Sequence, residues 1–98
     1  MNAYMVMIQL PKELSVEFIA LIPAQRAKID ELMDQGKILQ YALAIDRSTL
    51  WVTVSAKSEA IAKTIISSFP LIDYMKPKFF ELAFQSSVST ELPKIIMN

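Results

Sequence analysis

The chain has no cysteine and no histidine. Without cysteine there is no disulfide, no thiol nucleophile and no thiolate metal site. Without histidine the usual general base near neutral pH and the commonest metal ligand are both missing, and a Ser-His-Asp triad is impossible. Glycine occurs once, at Gly36, which rules out a glycine-rich phosphate loop and a Gly-x-Ser-x-Gly elbow. Neither sign of charge dominates: ten basic residues balance ten acidic ones. No basic stripe marks a nucleic-acid backbone as partner. No apolar run reaches the ~20 residues that span a bilayer. The opening Met1-Asn2-Ala3-Tyr4 lacks the basic start of a signal peptide, so the expected location is cytoplasmic and no membrane partner is expected. The acidic run Asp30-Glu31 with Asp34 reads as an exposed helix face, and no metal site is expected.

Apolar residues are plentiful. They make up 53% of the 98 residues and charged ones only 20%. The apolar share exceeds the ~45–50% usual in soluble domains. A small domain has much surface per volume, so some of this material must lie outside a monomer core. A homodimer or larger homo-oligomer is the simplest expectation, with the chain as its own partner.

The apolar spacing orders the elements. Ala3 to Leu10 reads as a strand, with Tyr4, Val6, Ile8 and Leu10 on one face and Met5 and Met7 on the other, so the alternation is weak and both sides look buried. Leu14 to Gln35 has helical spacing, with Ser15 as N-cap and Phe18, Leu21, Ile22, Ile29, Leu32 and Met33 recurring at three and four. Pro23 falls inside this run, and the favoured reading is a short turn over 15–21 followed by the main helix from Pro23. Gly36 follows as a left-handed cap. Strands are expected over 38–45 and 49–56, joined by a hairpin at Asp46, Arg47 and Ser48 that reads as a solvated turn. A second helix opens at Ser58-Glu59, buries Ile61, Ile65, Ile66 and Phe69, and stops at Pro70; a fourth strand covers 78–85.

That order is β-α-β-β-α-β, which predicts an α+β, ferredoxin-like domain over 1–85 with a four-stranded antiparallel sheet, strands one and three central. Helices cover one face only. The apolar far face predicts pairing of two sheets as a dimeric α+β barrel. Residues 86–98 form a tail ending Ile95-Ile96-Met97, expected to dock on a neighbouring subunit.

Residues Ser68-Phe69-Pro70-Leu71-Ile72-Asp73-Tyr74-Met75 resemble the element between the second helix and fourth strand of muconolactone isomerases. Met5 to Pro11 resembles that family's strand followed by Leu-Pro. Ile22-Pro23-Ala24-Gln25-Arg26 and Asp46-Arg47-Ser48-Thr49-Leu50-Trp51 are similar to segments in small members of the same superfamily. The resemblance spans about residues 5 to 84. It implies a dimeric α+β barrel and cofactor-independent isomerisation of a small anionic cyclic substrate by proton transfer. Such chemistry needs a base near the proton and a donor for the developing enolate. An acidic–basic pair on the family's first helix falls on Gln25 and Arg26, so the amide replaces the acid and the cation is kept. The family's histidines and its His-Pro-Ser-Ser element are absent.

On this reading Glu81 (or Asp73) moves the proton, Tyr74 donates to the oxyanion, and Arg26 orients the substrate beside Gln25, Trp51 and Tyr41. Each has a plainer alternative. Arg26 can be a solvated helix arginine. Trp51 can pack in a core or interface, and Tyr74 with Met75 can anchor the loop. Glu81, flanked by Phe79, Phe80 and Leu82, is either a base with a raised pKa or a charge guarding an edge strand. A non-catalytic ligand-binding protein and an oligomeric scaffold of the same fold are the two other functional readings.

Overall fold

The buried faces of the first and third strands decide the architecture. In the computed structural model, which describes residues 2–85, β1 spans Asn2–Gln9 and β3 spans Thr49–Ala56. They pair antiparallel, with Tyr4 opposite Val54, Val6 opposite Val52 and Ile8 opposite Leu50. All six side chains are buried on one face. The outer strands β2 (Ile38–Leu43) and β4 (Lys76–Glu81) complete a sheet of order β2-β3-β1-β4, every pair antiparallel. The fold is the expected α+β, ferredoxin-like β-α-β-β-α-β arrangement. The candidate tail over 86–98 lies outside the described residues.

Helix α1 (Val16–Asp34) packs a stripe of Phe18, Gln25, Ile29 and Leu32 onto the sheet. Its N-cap is Ser15, whose Oγ accepts from the Phe18 N–H at 3.1 Å. The expected break before Pro23 does not occur: the helix runs through it. An interior proline costs ~3 kcal/mol through a lost hydrogen bond and a clash with the preceding turn. The buried stripe continues in one period on both sides of Pro23, and burying it as a single rigid face outweighs that cost.

Past the helix end, Gly36 takes φ of 74°. The Lys37 N–H reaches the Leu32 carbonyl at 2.9 Å and the Gly36 N–H reaches that of Met33 at 3.0 Å, the two bonds of a Schellman cap. A Cβ at Gly36 would meet nothing within 4 Å, so only the left-handed backbone penalises a side chain there. Gly36→Ala is therefore expected to cost about 1 kcal/mol, read as a lower urea midpoint with unchanged m-value.

Helix α2 (Glu59–Ser67) is capped by Ser58, whose Oγ accepts from the Ile61 N–H at 3.3 Å. It buries Ala62, Ile65 and Ile66, and Phe69 follows as one of the least exposed large side chains. Ile61, expected in the stripe, lies on its exposed rim, and the smaller Ala62 takes the close contact. Two strand ends also differ from expectation. β4 starts earlier and ends at Glu81, because Pro77 is accommodated on an edge strand, where a missing N–H breaks no ladder bond to a neighbour. β2 stops at Leu43. An irregularity between Ile38 and Gln40 shifts its register, so that Tyr41 and Leu43 pair with Val52 and Leu50 on the helix side.

Neither helix covers the opposite face of the sheet. Met7, Trp51 and Phe80 lie there, 38%, 38% and 40% exposed. Thr53 between them is only 1% exposed, its hydroxyl 3.7 Å from the Met5 sulfur.

Candidate functional site

Between the first half of α1, the β2–β3 hairpin and the loop before β4, the core leaves a cavity of about 180 Å³. Phe18, Ile22, Leu50, Leu71 and Met75 supply apolar wall, and Gln25, Arg26, Tyr41 and Arg47 supply polar atoms. A cavity of ~150 Å³ admits a benzene ring, so this one suits a single ring or a short chain. Four of the other depressions among the described residues are larger, and the two most spacious of these four are less convergent. The groove beside α2 and β4, about 480 Å³, contains the Lys63–Glu59 ion pair, which neutralises its own charge. The cleft of about 520 Å³ beside the hairpin shares Leu10, Leu14 and Arg47 with the cavity and lies outside it.

Gln25 is the most constrained polar group. It sits on the buried stripe of α1 and is 3% exposed. Its Oε1 accepts from the buried Leu71 N–H at 3.1 Å, 46 residues away in sequence. This bond sets which way the amide points, since the flipped amide would aim N–H at N–H. The Nε2 group is then left buried with no hydrogen-bond partner among the described residues. An unsatisfied buried donor costs ~1–3 kcal/mol, and native structures keep few of them.

Tyr41 faces this amide from β2. Burial pushes its phenol pKa up; the Gln25 side-chain amide and the Arg26 guanidinium pull in the other direction. The Gln25 amide lies close enough to act on the phenol but makes no full hydrogen bond with it. Arg26 is exposed at the cavity mouth, and among the described residues it makes no ion pair.

Of the expected site residues, the structure brings Gln25, Arg26 and Tyr41 together and leaves three others apart. Trp51 pairs with Met7 and Ala42 on the far face of the sheet. Tyr74, in the 3-10 turn Ile72–Tyr74, packs edge-on against Phe18 with ring centroids 5.4 Å apart, behind the cavity wall. Glu81 is exposed at the end of β4, where its Oε2 accepts from Asn2 Nδ2 at 3.2 Å. Asp73 is likewise exposed. No described carboxylate lines the cavity, and no cluster of metal-ligating side chains occurs among the described residues.

One contributor escaped the sequence reading. Arg47, expected in a solvated turn, is exposed but also lines the cavity. Hydrogen bonds from the Ser48 N–H and hydroxyl, at 3.0 and 2.7 Å, hold the neighbouring Asp46 carboxyl below its ordinary pKa. Asp46 is thereby engaged in shaping the turn and makes no ion pair with Arg47.

No protein-family model and no curated protein matches this chain. The site must therefore be read from its own geometry.

Proposed function

We propose that the cavity binds a small organic anion with a flat or short apolar body, on a muconolactone isomerase-like scaffold that pairs through its open sheet face. The observation that carries this is the buried, unpartnered Nε2 of Gln25, set beside Arg26 and Tyr41 at the end of an apolar cavity. A carboxylate or carbonyl oxygen placed there satisfies the amide, accepts from the phenol and neutralises the arginine, while the apolar walls take the ligand body. The assembly half of the reading rests on Met7, Leu39, Trp51 and Phe80, large apolar groups left exposed on or beside one face.

Calorimetric titration with benzoate and with hexanoate tests the binding. A ligand of this size is expected to reach a Kd of roughly 0.1–1 mM. Absence of saturable heat with both acids contradicts the reading.

A second reading is supported by Tyr41. A phenol whose pKa is pushed up keeps its proton, and beside Arg26 it is suited to donate to a developing enolate, as isomerisation of a lactone requires. Proton abstraction needs a base as well, and Glu81 and Asp73 stand away from the cavity. Among the described residues, the site is better equipped for binding than for turnover. Lactone isomerisation no faster than buffer is the expected result, and turnover that disappears in Tyr41→Phe would favour the enzyme instead.

A further inference from the structure

Two described residues adopt positive φ. One is Gly36, the only glycine in the chain; the other is Arg47, at φ of 64°. Arg47 closes a turn in which its N–H bonds the Ala44 carbonyl at 2.9 Å, and the left-handed residue at such a hairpin position is ordinarily glycine or asparagine. A long side chain here carries a backbone penalty, and penalties of this kind persist where a function holds them. The guanidinium has no ion pair among the described residues, yet it lines the same cavity as Arg26. Thus two unpaired cations share a cavity whose described lining contains no carboxylate.

We infer that Arg47 is a second cationic contact for the bound anion, and that the preferred ligand is a small dicarboxylate rather than a monocarboxylate. This rests on the reading that the cavity binds an organic anion. One carboxylate sits with Gln25, Tyr41 and Arg26, the other at the hairpin with Arg47. A monoacid leaves one guanidinium without a partner, and a neutral ligand leaves both.

Adipate and hexanoate share a six-carbon chain and differ by one carboxylate, so their affinity ratio reports the second contact. At matched ionic strength the full chain is expected to bind adipate roughly 5–10-fold more tightly. In Arg47→Ala the ratio falls below about twofold, while Arg47→Lys, which keeps the charge and loses the planar fork, retains part of it. Arg47→Gly loses the ratio too, and because glycine relaxes the left-handed backbone its Tm rises by roughly 2–5 °C. A solvated turn arginine predicts the same rise in Tm with no change in the ratio. Equal affinity for the two acids, or an adipate preference that survives both Arg47→Ala and Arg47→Gly, overturns this inference and leaves the anion site standing. If neither acid binds, the anion site itself is removed, and this inference with it.

Discussion

Arg26→Ala is expected to weaken binding of a small carboxylate by about tenfold. Hydrogen bonds to charged groups are worth ~1.5–3 kcal/mol, and exposure of this guanidinium at the cavity mouth puts it at the lower end of that range. The substitution removes a side chain that is outside the buried core and has no ion pair among the described residues, so the melting temperature should barely move. Arg26→Lys should recover part of the affinity as a point charge without the bidentate geometry. The effect should shrink as salt rises, because an exposed cation is screened. If Arg26→Ala binds benzoate as tightly as the parent at low salt, the arginine is a solvated helix residue and the anion is held elsewhere.

Under the proposed face-to-face pairing, Trp51→Asp is expected to leave single subunits at a micromolar concentration where the parent pairs. Trp51 lies on the uncovered sheet face, paired with Met7 and Ala42 and flanked by groups that remain well exposed. Tryptophan at the centre of an apolar interface commonly contributes ~2 kcal/mol or more, and a carboxylate in its place adds the cost of desolvating a charge. The fold itself should survive, since the helix-side core does not include Trp51. Sedimentation velocity distinguishes the outcomes. A parent already monomeric at the same concentration refutes face-to-face pairing. A Trp51→Asp protein that stays dimeric places the contact on another surface.

The element order was legible in the sequence because two signals agreed: short apolar strand-like runs at β1 and β3, and three-four spacing in both helices. Ser15, Gly36 and Ser58 marked helix ends through local chemistry that needs no tertiary partner. Pro23 misled for the same reason. Its local penalty is real, and only the buried stripe, a tertiary property, overrides it. The limits of β2 and β4 depend on a register shift and on which strand lies at the edge, and neither is encoded locally.

The candidate cavity's lining was legible in part. Gln25 falls on the apolar stripe of α1 between Phe18 and Ile29, and a polar residue at such a place is itself a signal of a buried group with a job. The family resemblance also pointed to Gln25 and Arg26. Trp51 and Tyr74 were attractive for their chemistry, but the strand pairing sends Trp51 to the far face and the 3-10 turn sends Tyr74 behind Phe18. Glu81 has aromatic neighbours in sequence, yet strand alternation and its edge position leave it exposed. Arg47 fell within a segment that carried the resemblance, but nothing in an arginine announces a left-handed backbone or a place in the cavity.

The proposed anion binding is tested most directly by amide NMR during titration with benzoate. The account predicts saturable shifts of the Gln25 side-chain amide protons and the Leu71 backbone N–H, following one binding curve with resonances of Tyr41. Shifts that never saturate, or that gather on the outer cleft around Lys12 and Thr49 while Gln25 stays still, would contradict it.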